Sequence, residues 1–99
     1  MNEFEKLVKW LSKNDYNYIL TDLCGGDQVI IYTEDGERFC DVICHKYSYG
    51  YEQGLLEMMG RPVNTEGCVK GYLTAKDCED IILGKYNWSK LNLCENGNF

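Results

Sequence analysis

Apolar residues at Phe4, Leu7, Val8 and Leu11 recur at three- and four-residue spacing, which predicts an amphipathic helix over about residues 3–13. Asn2 followed three residues later by Glu5 is a capping box at its start. Asn14-Asp15 is the expected stop, because short polar side chains tolerate the left-handed conformation and compete with helical hydrogen bonds. The pattern then changes. Residues 16–23 are rich in aromatic and branched side chains and read as a strand, with Gly25-Gly26 as a tight turn into a second strand over 28–33. Glu34-Asp35-Gly36 turns the chain into a third strand over 38–46, and Asp-Gly between two apolar segments is a strong hairpin signal.

Tyr47–Gln53 reads as a connection rich in Tyr, Ser and Gly, followed by a fourth strand over 54–59 that Gly60, Arg61 and Pro62 end. Residues 60–68 read as a loop and 69–73 as a short fifth strand. Thr74 with Asp77 is a second capping box, Cys78, Ile81 and Ile82 share a helical face, and Gly84 is the expected stop. Residues 85–99 hold Trp88, Leu91 and Leu93 without a clear period, and 95–99 read as a frayed end. The order α-β-β-β-β-(β)-α predicts a single α+β domain over 1–94: an antiparallel sheet of four to five strands flanked by an N-terminal and a C-terminal helix.

A chain of 99 residues with 44% apolar and 26% charged residues suits one core and excludes both disorder and a fibrous architecture. Its net charge of −6 and ten scattered Lys and Arg residues give no basic footprint, so direct binding of a nucleic-acid polymer is not expected. An acidic surface favours solubility, or a basic patch on another protein. The first residues carry no basic segment ahead of an apolar one, and no apolar run approaches the ~18 residues of a membrane span. A cytoplasmic protein is expected, and there the six cysteines are expected as thiols.

Cys44-His45 is the one thiol–imidazole neighbour pair, but successive side chains on a strand point to opposite faces, which separates nucleophile from base. The same alternation puts Cys40, Val42 and Cys44 on one face, a buried stripe, with Phe39, Asp41, Ile43, His45 and Tyr47 on the other. A structural zinc site needs four converging ligands. Cys40, Cys44, His45 and Cys68 are the nearest set, with the Cys40–Cys44 spacing inside a strand and Cys68 far along the chain. No cofactor is expected. The glycine pair leads into a strand and offers no helix N-terminus to a phosphate, and Asp77, Glu79 and Asp80 suit the positive end of the second helix. None of this is catalytic geometry, so the chain reads as a non-enzyme.

The least ordinary segment is Tyr47-Ser48-Tyr49-Gly50-Tyr51-Glu52, in a chain with eight tyrosines. Tyrosine gives large contact area at low entropic cost and Ser and Gly give adaptability, a combination that recurs in binding loops. Tyr47, Tyr49, Tyr51 and Glu52 are therefore the candidate partner-binding residues. The plainer alternative is that alternate tyrosines cover the sheet with their hydroxyls in water.

The stretch Cys44–Met59, Cys-His-Lys-Tyr-Ser-Tyr-Gly-Tyr-Glu-Gln-Gly-Leu-Leu-Glu-Met-Met, together with Gly71–Asp77, resembles small proteins encoded by phages and prophages of Gram-positive bacteria. The resemblance covers roughly the second half of the chain and includes no catalytic motif. It implies an accessory protein that binds a host or phage protein, as a modulator or inhibitor. Three functions follow, in this order: a protein-binding accessory protein, a small-molecule or nucleotide binder with an aromatic pocket near the tyrosine loop, and a cysteine-based metal-binding domain. Oligomeric state is not legible in the sequence.

Overall fold

The computed structural model describes residues 1–63 and 69–88. Helix α1 spans Glu3–Lys13, and both halves of its capping box are made: the Asn2 side chain accepts from the Glu5 amide, and the Glu5 carboxylate accepts from the Asn2 amide. At its far end Asp15 takes a left-handed φ of +59°, which lets the Tyr16 amide reach back to the Leu11 carbonyl. Phe4, Leu7 and Leu11 are buried. Five strands follow, β1 (Asn17–Leu23), β2 (Gly26–Tyr32), β3 (Arg38–Cys44), β4 (Leu56–Gly60) and β5 (Val69–Leu73), and then helix α2 (Ala75–Ile82). The strands form one antiparallel sheet in the order β1-β2-β3-β4-β5, a meander in which every strand pairs with its sequence neighbour. This is the expected α+β arrangement, with five strands.

Side-chain alternation directs Val29 and Ile31 of β2, Cys40 and Val42 of β3 and Met58 of β4 into one core with Phe4, Leu7 and Leu11 of α1 and Ala75, Cys78 and Ile81 of α2. Helix α2 opens on the expected Thr74/Asp77 capping box. It closes with Gly84 at a φ of +75°, its amide bonded to the Ile81 carbonyl and the Lys85 amide to that of Asp80. The helices are joined by a contact the sequence does not announce. A Glu3 carboxylate oxygen accepts the Ala75 amide at 2.7 Å, so the first turn of α1 caps the first turn of α2.

Three local expectations need correction. The two central residues of the first hairpin are Cys24 and Gly25, with φ of +52° and +76°, and Gly26 belongs to β2, where it pairs with Leu23. Gly26 is needed for another reason: a Cβ there would lie 2.6 Å from the Cβ of His45. Phe39 does not share a face with Asp41, because the β2–β3 register shifts between Ile31 and Tyr32 and the extra residue turns Phe39 onto the helix-covered side. Finally, β3 ends at Cys44 and β4 begins at Leu56, which lengthens the connection between them. Part of the expected 60–68 loop is a short 3₁₀ turn at Arg61–Val63, and residues 64–68 and 89–99, including Cys68 and the expected frayed end, lie outside the described residues. Among the described residues no helix is long and apolar enough to cross a membrane.

Candidate binding site

Past Cys44 the backbone leaves the sheet and is held by its own polar groups. The Ser48 hydroxyl donates to the His45 carbonyl at 2.8 Å and accepts the His45 amide at 3.0 Å. His45 Nδ1 accepts the Tyr47 amide at 3.1 Å, which assigns the ring proton to Nε2. His45 and Ser48 are buried, so these bonds form in a weakly screened setting. A 3₁₀ turn at Tyr51–Gln53 follows, and the Leu55 amide closes the loop onto the Gly50 carbonyl at 2.9 Å.

Two contacts tie this loop to the sheet. The buried Glu57 carboxylate of β4 accepts the Tyr49 amide at 2.8 Å, a charge-assisted bond. From β5, the Tyr72 amide donates to the Tyr49 carbonyl at 3.3 Å. Reaching it requires Tyr72 to adopt a φ of +58°, an unusual conformation for an aromatic residue, at a point where the β4–β5 register is irregular. The close approach also explains two glycines: a Cβ on Gly71 would overlap that of Tyr49, and one on Gly50 would lie 3.1 Å from the Tyr72 backbone.

On this base Tyr47 is 71% exposed, Tyr49 40%, Tyr51 44% and Tyr72 45%. Tyr49, Tyr51 and Tyr72 line a shallow pocket of about 210 Å³ with Lys46, Ser48, Gly50, Glu52 and Gln53. Tyr47 lies beside it, its ring under the Lys46 ammonium and edge-on to His45. The structure thus brings together Tyr49, Tyr51 and Glu52, places Tyr47 at the margin, and adds Tyr72. The signal for Tyr72 was Gly71, since a glycine inside a strand pattern marks a bulge or a close backbone approach. One described lining residue is acidic and one is basic, so the pocket is not where the chain's negative charge collects.

The described metal candidates, Cys40, Cys44 and His45, do not converge. Cys40 and Cys44 stand four residues apart on one strand face, about 13 Å, whereas thiolates on one zinc ion lie about 2.3 Å from it. Cys40 is buried in the core, Cys44 donates weakly to the Leu55 carbonyl at 3.8 Å, and His45 Nδ1 is engaged by Tyr47. Burial pushes the Cys40 thiol up to about 12, with the neighbouring Asp41 charge adding to it, and raises Cys44 as well. Among the described residues no three His, Cys, Asp or Glu side chains cluster as a metal site. Comparison with protein-family models, with curated proteins and with solved structures gives no match to the chain, so its own geometry is what bears on its function.

Proposed function

We propose that the chain is a non-enzymatic binding protein whose Tyr47–Gln53 loop, with Tyr72 of β5, engages a protein partner. The observation that supports this is the combination of exposed aromatic rings with a backbone fixed from three sides, by the His45–Ser48 bonds, the Glu57 carboxylate and the Tyr72 amide. Rigid aromatic anchors lose little freedom on association, which is why tyrosine is frequent among residues that dominate interfaces. The net charge of −6 belongs to the chain as a whole and would favour long-range encounter with a basic partner, while the loop itself supplies aromatic contact. The role fits the small phage-encoded accessory proteins that the second half of the chain resembles, acting as a modulator or inhibitor of a host protein. A small-ligand role is less well served at this loop, because about 210 Å³ falls below the roughly 300–1,000 Å³ of typical ligand sites.

The test replaces Tyr49, Tyr51 and Tyr72 with Ala and compares the cross-linked partners of the variant and the parent chain in cells, with thermal unfolding as control. Each ring removed from an interface centre is expected to weaken capture about tenfold or more. Full capture by a folded triple variant would remove the loop from the proposal.

A further inference from the structure

A larger cavity, about 550 Å³, opens at the opposite end of β3, some seven residues or about 20 Å from the tyrosine loop. Its volume lies within the roughly 300–1,000 Å³ of small-ligand sites. Its walls are aromatic: Trp10 and Tyr16 stack with ring centroids 5.1 Å apart, and Tyr32 and Phe39 face the same space, all four half-buried. The bulge that turned Phe39 from its expected face supplies one wall.

Among the described lining residues the charged side chains are both acidic, Asp15 and Glu34, and none is Lys or Arg. Both helices also end there. Asn14 and Leu83, the C-caps of α1 and α2, line it, so the negative ends of two helix dipoles meet at the cavity. Aromatic faces, carboxylates and helix C-termini each favour a cation, and an apolar-walled site of this kind suits one carried on an apolar body. Among the described lining residues a nucleotide would find no cationic partner for its phosphates.

We infer that this cavity binds an organic cation, an ammonium or guanidinium group on an aliphatic stem, between the Trp10, Tyr16, Tyr32 and Phe39 rings with Asp15 and Glu34 as counter-charges. The same chemistry is offered by a free amine and by a Lys or Arg side chain of another protein. The inference is independent of the loop reading.

The experiment is an NMR titration that follows the Trp10 indole N–H. The probes are choline, its uncharged isostere with tert-butyl in place of trimethylammonium, agmatine, and an acetylated, amidated pentapeptide with one central lysine. Saturable shifts with a cationic probe are expected, with the neutral isostere weaker by about tenfold, the factor a desolvated cation–π contact supplies. Asp15→Asn with Glu34→Gln should weaken the cation by a similar factor and leave folding intact, because Asn tolerates the left-handed backbone at position 15 as Asp does. Response to the peptide alone assigns the site to a protein side chain, and response to the free amines alone assigns it to a metabolite; either supports the inference. Equal binding of choline and its isostere, undiminished binding by the folded double variant, or no response to any probe would overturn it.

Discussion

Burial grades the four described cysteines, with Cys44 half-buried between the extremes. Cys40 and Cys78 are sealed in the core, and desolvation keeps both protonated well above neutral pH, Cys40 up to about 12 from an ordinary 9.0. Cys24 stands exposed at the hairpin tip. At neutral pH a disulfide reagent followed by peptide mapping should modify Cys24 within the mixing time of a slow assay, and reach Cys40 and Cys78 only as fast as the whole domain opens. The sign with pH also follows. A thiol raised on folding contributes stability that is complete below its unfolded value near 9 and is lost as pH rises through the folded value, so the domain should weaken between about 9 and 12. At this scale the burial of Cys40 and Val42 was legible, because strand alternation is a local rule, whereas Cys44, expected in the same buried stripe, is only half-buried where the strand ends. The inward turn of Phe39 was not legible, since a bulge depends on the partner strand, and neither was the part played by Tyr72, whose conformation answers to a loop more than twenty residues away in sequence.

Between elements, the caps show where local sequence suffices and where it does not. Asn2/Glu5 and Thr74/Asp77 are reciprocal bonds within four residues and can be read directly, and Asp15 and Gly84 end the helices for the stated conformational reason. Glu3 is different: it caps a helix that begins 72 residues later. The Ala75 amide, then the Lys6 ammonium, hold its carboxyl below the usual carboxylate value of 4.5. A lowered value on folding means stability fully present above the unfolded value and lost as pH falls through the folded one. Glu3→Gln keeps an acceptor but loses the charge, so it should cost about 1 kcal/mol at neutral pH, with the difference from the parent vanishing in strong acid. Paired urea melts across that range measure it, and a constant difference would refute the electrostatic role.

For the molecule as a whole, the meander places the two candidate surfaces at opposite ends of β3, one built from the β3–β4 connection and β5, the other from the helix C-termini and the bulged hairpin. Element order and fold class were readable from periodicity and turn chemistry. The second site was not, because Trp10, Tyr32, Phe39 and Ile82 come from four elements and share no motif. Among the described residues every buried side-chain nitrogen and oxygen has a partner, so the polar interior of the loop base serves to fix it.

The Glu3–Ala75 contact also bears on how the chain assembles in time. Each strand pairs with its immediate neighbour in sequence, so the sheet grows by short closures that cost little entropy, whereas the two helices must be brought together from opposite ends of the meander. The helix pair should therefore form after the rate-limiting barrier. Stopped-flow kinetics on Glu3→Gln should show faster unfolding with an unchanged refolding rate, the signature of a latch that closes last and governs how long the folded state endures.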